Sequence, residues 1–198
     1  MDAKEFFKKI KDVLKTEELK AYYHDNTAWT DKIKDIIENM IGKDNVNREY
    51  YRIDTLKFAY TDYYKSFVKE HKQYFSGSSS KSYYLNVYNW KNKIAIEYEN
   101  DCHSWTDELV KLSHLRSDLK VIVAYSEWDG SFDNYKALIK EKVGFAIELI
   151  KACQEQALQD NWLLIFGPCK GGKKVYDDCL ADCFIGYEMD NMQFKLIE

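Results

Sequence analysis

Apolar positions recur at helical spacing through the N-terminal part of the chain. Phe6, Ile10, Val13 and Leu14 fall three and four residues apart with lysines between them, which predicts an opening amphipathic helix. Trp29, Ile33, Ile36, Ile37 and Met40 form a second stripe, with Thr27 as its expected cap and Gly42 as its stop. At Tyr51 the period changes to two. Tyr51, Ile53 and Thr55 alternate with Arg52, Asp54 and Leu56, and the run continues through Phe58 and Tyr60, which predicts a strand. Residues 61–75 fit either a short helix or an insertion, and Ser76-Gly77-Ser78-Ser79-Ser80 reads as a loop. Two strands follow, Ser82–Trp90 and Ile94–Glu99, and the short link Asn89–Asn92 predicts a hairpin between them.

Trp105–Arg116 is helical in pattern, with Trp105, Leu109, Leu112 and Arg116 near one line. Leu119–Tyr125 is a continuous apolar run of strand length, the mark of a central strand covered on both faces. A long helix is expected over Asn134–Gln159, with Leu138, Phe145, Leu149, Ile150 and Cys153 inward. Trp162–Phe166, Cys183–Met189 and Gln193–Ile197 read as terminal strands. The order predicts an α/β (α+β mixed) fold in which helices flank a central mixed β-sheet. No linker divides the chain, so residues 1–198 read as one domain, with a helical part about 1–45 and a core about 50–126.

Composition adds limits. With 198 residues, 45% hydrophobic and 31% charged, the chain reads as soluble and globular. No apolar run is long enough for a bilayer, and the opening Met1-Asp2-Ala3-Lys4-Glu5 has no apolar signal core, so a cytoplasmic protein without membrane partners is expected. The net charge of −4 counts mildly against nucleic-acid binding, although acidic metal ligands reverse their local sign once loaded. Lys8, Lys9, Lys11 and Lys15 read first as the solvated face of a helix. The cysteines, Cys102, Cys153, Cys169, Cys179 and Cys183, are odd in number and scattered, which favours packed or free thiols over disulfides or a zinc site.

One segment changes the picture. In Lys93-Ile94-Ala95-Ile96-Glu97-Tyr98-Glu99, alternation puts Ile94, Ile96 and Tyr98 on one face and Ala95, Glu97 and Glu99 on the other. Two carboxylates about 7 Å apart on one face of an apolar strand call for a cation or a basic partner. Asp54, an acid inside another apolar strand, joins them if the two strands pair. Either a divalent cation sits among Asp54, Glu97 and Glu99, or Asp54 pairs with Arg52 or a lysine and the glutamates line an exposed face. In the following helix Glu108 falls inside the apolar arc and Lys111 at its flank, either as an ion pair or as an extension of the acidic cluster.

An acid on an early strand, a second strand carrying Glu97-x-Glu99, a helix with Glu108-Leu109 and Lys111-Leu112, and then an apolar strand together resemble a bacterial branch of the PD-(D/E)XK nuclease superfamily over residues 50–126. The resemblance implies a restriction-endonuclease-like core and Mg²⁺- or Mn²⁺-dependent hydrolysis of phosphodiester bonds in DNA. It makes Asp54 the first acid of the motif and Glu97 the second, as a metal ligand; Glu99 joins them only on the strand-face reading above. The motif lysine is expected at position 99, where this chain has Glu99. The resemblance allows that lysine to move to the next helix, and Lys111 is the candidate. His103 is an auxiliary candidate near the carboxylates, though a surface-loop histidine is the simpler reading. If Lys111 cannot serve, the expectation becomes a non-cleaving module that binds DNA, RNA or a protein partner, with a second copy of the chain as one candidate.

Gly167-Pro168-Cys169-Lys170-Gly171-Gly172-Lys173-Lys174 nearly matches a phosphate-binding P-loop. Lys174 stands where that loop needs a hydroxyl, and too little chain follows for the rest of such a core, so a glycine-rich turn is expected. The adjacent Cys102-His103 pair does not make a nucleophilic triad, because neighbours in sequence do not face each other.

Overall fold

The computed structural model describes residues 1–23, 25–50, 52–60, 70, 90–100, 102–170, 173–174 and 180–197. Helix α1 spans Ala3–Leu14, and the Asp2 side chain caps it by accepting from the Glu5 N–H. Helix α2 (Glu17–Tyr23) was not expected from the pattern. It is a two-turn element whose buried residues are Leu19 and Tyr23, too few to declare a period. Helix α3 spans Asn26–Ile41, and Gly42 at φ 81° ends it as expected. Its cap is Asp25, which accepts from the Ala28 N–H; Thr27 lies inside the first turn.

The strands are β1 (Val46–Tyr50), β2 (Ile53–Tyr60), β3 (Trp90–Tyr98), β4 (Leu119–Glu127), β5 (Trp162–Lys170), β6 (Lys173–Lys174), β7 (Ile185–Asp190) and β8 (Gln193–Leu196). They form one mixed sheet in the order β1-β2-β3-β4-β5-β7-β8, with β6 paired to the end of β5. β1, β2 and β3 run antiparallel in succession. β3, β4 and β5 are parallel, and β7 and β8 return antiparallel. Helix α4 (Trp105–Ser113) connects β3 to β4. Helix α5 (Phe132–Gln154), extended by a 3₁₀ turn over Glu155–Gln159, connects β4 to β5. The four-residue α6 (Leu180–Cys183) precedes β7.

Two apolar cores sandwich the sheet. On one face α1, α2 and α3 pack against Ile94, Ile96, Val121, Val123 and Ile165. On the other, Leu109 and Leu112 of α4 and Ile139, Val143 and Ala146 of α5 cover Ala95, Ile122, Ala124 and Leu164. β4 is buried from Leu119 to Ser126, as its unbroken apolar run predicts. Among the described residues no helix is long and apolar enough to cross a membrane.

Several expectations need correction. Trp90, Lys91 and Asn92 lie within β3, so no hairpin turn occurs there, and the antiparallel partner of β3 is β2. The expected partner strand 82–89 and the loop 76–80 fall outside the described residues, as does the ambiguous stretch 61–75 apart from Glu70. Helix α4 ends before Arg116, and Cys183 belongs to α6 rather than to a strand. Helix α5 is rotated from the expected phase: Phe145 is exposed, while Tyr135, Ile139, Val143, Ala146 and Ile150 face inward. Of the expected glycine-rich turn, Gly167 to Lys170 belong to β5, with Gly167 paired to Tyr125, and Gly171 and Gly172 fall outside the described residues. A β-carbon at Gly167 would come within 2.7 Å of the Phe184 ring, so packing demands the glycine. Cys102 and Cys169 form a disulfide, against the expectation of free thiols. The two are 67 positions apart in sequence. Only the fold brings the loop after β3 to the end of β5. Cys153 and Cys183 are not in a disulfide, and Cys179 falls outside the described residues.

Candidate functional site

The site lies where β2 begins and β3 ends. The β2–β3 register sets Thr55 against Ile96, so Asp54 falls level with Glu97 one step further along. The Asp54 N–H donates to Glu97 Oε2 at 3.3 Å. Asp54 Oδ2 accepts from the Tyr98 N–H at 2.8 Å, supplying an acceptor where the β2–β3 ladder has ended. Lys34 of α3 donates to Asp54 Oδ1 at 2.9 Å and also reaches Glu49. The lysine partner considered for Asp54 is therefore Lys34, not Arg52. Lys34 follows Ile33 in the buried stripe of α3, which is the sequence signal that could have identified it.

Glu97 is 1% exposed, beside Ile122 of β4 and beneath α4. Lys111 Nζ lies 2.9 Å from Glu97 Oε1 and also contacts Glu108 of its own helix, one turn back. A third link from Lys111 Nζ goes to the Arg52 carbonyl at 2.8 Å. Arg52 sits in the tight β1–β2 turn at φ 62°, a left-handed conformation uncommon for a residue with a side chain. The lysine of α4 thus ties together the turn before Asp54, the buried Glu97 and Glu108.

Burial raises the Glu97 carboxyl to about 9; the Lys111 ammonium opposes this, and the nearby Glu108 and Asp54 charges add to it. Burial pulls the Lys111 ammonium down, but its bonds to Glu108 and Glu97 outweigh that and its affinity for a proton ends above the ordinary value. The same balance holds at Lys34, where Asp54 outweighs desolvation. The Lys111 ammonium stands against both Glu97 Oε1 and Glu108 Oε2 as their shared counter-charge, and neither buried oxygen accepts a well-aligned hydrogen bond.

The predicted residues do not all meet. Asp54, Glu97, Glu108 and Lys111 converge. Glu99 lies just beyond β3, half-buried, with its N–H donated to Val123 O at 2.9 Å. Among the described residues, the trio of His, Cys, Asp or Glu ligand atoms within 4.8 Å of one another is Cys102, Glu127 and Cys169, so Asp54, Glu97 and Glu99 do not form such a trio. His103 is exposed and lines a cavity with Cys102, Trp105 and Lys142. What the arrangement offers chemically is a set of hard oxygen donors, two of them without a well-aligned hydrogen bond, with a lysine in contact. The chain matches no family model, and no curated protein or solved structure matches it.

Proposed function

We propose that the Asp54–Glu97–Lys111 cluster is a metal-dependent phosphodiesterase centre of the PD-(D/E)XK kind, acting on DNA. One observation carries the reading. Asp54 and Glu97 meet across adjacent strands, and Lys111 reaches Glu97 from the next helix, where a relocated motif lysine would have to stand. The order antiparallel β1-β2-β3, helix α4, then β4 parallel to β3 supports it, as does the left-handed Arg52 beside the acids.

The donor chemistry suits Mg²⁺ or Mn²⁺, although Asp54, Glu97 and Glu108 do not bring three ligand atoms within 4.8 Å of one another, so the protein supplies two of them and water the rest. The donors are carboxylate oxygens, with Glu97 Oε1 and Glu108 Oε2 lacking a well-aligned hydrogen bond in a buried place. With Glu97 holding its proton, Asp54 and Glu108 balance Lys34 and Lys111; an ion that displaces the Glu97 proton would add its charge where that proton stood. Asp54 and Glu97 would hold the ion, with Glu108 in reach through Lys111. A bound Mg²⁺ or Mn²⁺ would lower the pKa of a water and neutralise charge on the phosphate. Lys34 fixes the Asp54 carboxylate. Lys111, which keeps its proton, offers a positive charge to a non-bridging phosphate oxygen once Glu97 turns to the ion.

A second reading is a non-cleaving module of the same shape that binds nucleic acid or a protein. It is favoured by Glu99 at the motif lysine position and by lysines that already neutralise much of the acidic charge. Incubation of plasmid and single-stranded DNA with Mn²⁺ or Mg²⁺ separates the two. The proposal expects nicking or degradation that chelation stops and that Glu97→Gln and Lys111→Met abolish. Binding without turnover at any metal concentration would leave the second reading.

A further inference from the structure

A second cluster lies at the C-terminal ends of the parallel strands, the edge where ligand sites of open α/β sheets collect. Glu127 of β4 and Cys169 of β5 are register partners, so their side chains leave the sheet on the same side. Cys102 reaches them from the loop between β3 and α4. One ligand atom from each lies within 4.8 Å of the other two. The two sulfurs are bonded to each other here, and around one tetrahedral ion, at metal–ligand distances of about 2.0–2.3 Å, they would separate to roughly 3.5–3.8 Å once the bond is reduced, with the Glu127 carboxylate already alongside.

The surroundings favour thiolates. Lys142 of α5 donates to the Cys102 carbonyl at 2.7 Å, placing an ammonium beside this cysteine. Cys102, itself buried, also lines a cavity of about 320 Å³ together with His103, Trp105, Leu138 and Lys142. The Cys169 carbonyl is fixed by the Trp128 N–H at 2.6 Å, so that side of the trio is held by the sheet. Soft sulfur ligands set this site apart from the all-oxygen cluster at Glu97.

We propose that Cys102, Cys169 and Glu127 form a site for a borderline divalent cation such as Zn²⁺, opened when a dithiol reduces the Cys102–Cys169 bond. The dithiol attacks one sulfur, leaves as its own disulfide and returns both cysteines to thiols, so two electrons and two protons pass to the protein. The ion then displaces both thiol protons to solvent and takes the Glu127 carboxylate as its third ligand, leaving a fourth position for water. The site is independent of the nuclease reading.

The test uses the full chain, oxidised or treated with dithiol and then freed of it, titrated with Co²⁺ and Zn²⁺. The reduced protein is expected to bind one ion with a thiolate-to-cobalt charge-transfer band, and the oxidised protein to show none. Cys102→Ser and Cys169→Ser should each weaken binding roughly tenfold or more, and Glu127→Gln by less. Zn²⁺ should also protect Cys102 and Cys169 of the reduced wild-type protein from alkylation while leaving Cys153 reactive, a readout that needs no variant to fold. A disulfide that resists the dithiol in the folded protein, a reduced protein without the band, or a band that survives in the double serine variant would overturn the proposal.

Discussion

Among the described residues, two lysine–carboxylate pairs have one member almost wholly buried, and they are built in opposite senses. At the start of β4, Lys120 is 0% exposed and pairs at 2.5 Å with Asp160, which is 37% exposed; the Trp162 ring lies 4.8 Å from the ammonium. At the end of β3, the carboxylate is the buried member and Lys111 is 31% exposed. Burial lowers the Lys120 pKa against the pull of Asp160, whereas it raises that of Glu97. The first pair is one cation, one anion and an aromatic face, complete in itself. The second is a single lysine shared between Glu97 and Glu108, with Asp54 alongside and two acceptors without a well-aligned hydrogen bond. A complete pair needs no ligand; an incomplete one that persists in an apolar setting is a place for a cation.

The largest expected effect would break the comparison on the Lys120 side. Asp160→Ala leaves a buried ammonium without its partner and should cost about 3 kcal/mol in urea unfolding, while Lys120→Met should cost much less. Equal losses would mean that the pair is not the self-contained bridge described.

On the other side, Lys111→Met should reduce DNA cleavage by roughly 100-fold or more, with the Mn²⁺ affinity kept or improved. A variant as active as the wild type would remove Lys111 from the chemistry. Smaller again is a pH effect. The Glu97 carboxyl takes its proton more readily folded, at about 9, than unfolded, at 4.5. Its contribution is complete below the unfolded value and declines as the pH rises through that interval towards the folded value. Glu97→Gln should therefore flatten the metal-free stability profile between those pH values and be the more stable protein at the alkaline end. Parallel profiles would show that Glu97 carries its charge throughout.

The smallest effect is expected at Arg48, which bridges Asp35 and Glu38 of α3 from β1. These are partly exposed ion pairs, so Arg48→Ala should cost about 1 kcal/mol in thermal or urea unfolding. A much larger loss would show that α3 depends on this link to hold Lys34 against Asp54.

The sequence carried much of the site because its signals are local. Alternation put Glu97 on the face opposite Ile96 and Tyr98, and helical phase put Glu108 and Lys111 beside the buried arc of α4. The misses are nonlocal or a matter of size. Asn89–Asn92 has the composition of a turn, but continuous pairing with β2 keeps residues 90–92 extended. Large apolar side chains on α5 suggested an inward Phe145, whereas the helix packs on the sheet through Ile139, Val143 and the small Ala146. The Cys102–Cys169 bond depends on strands that meet only in the fold, and the partner of Asp54 comes from a helix twenty positions upstream. Glu99 lies past the end of β3: its N–H still bonds Val123 O of β4, but pairing with β2, the strand that carries Asp54, stops at Ile96, and its carboxylate does not join Asp54 and Glu97.

Titration of Mn²⁺ into the full chain by calorimetry tests the central claim most directly. The wild-type protein is expected to bind one ion at the Glu97 cluster, more weakly by up to about tenfold for each pH unit below 9, because the ion must displace the Glu97 proton. Glu97→Gln should lose that binding and its pH dependence. Binding that is absent, or that persists unchanged in Glu97→Gln, would contradict the assignment of this cluster as a metal centre.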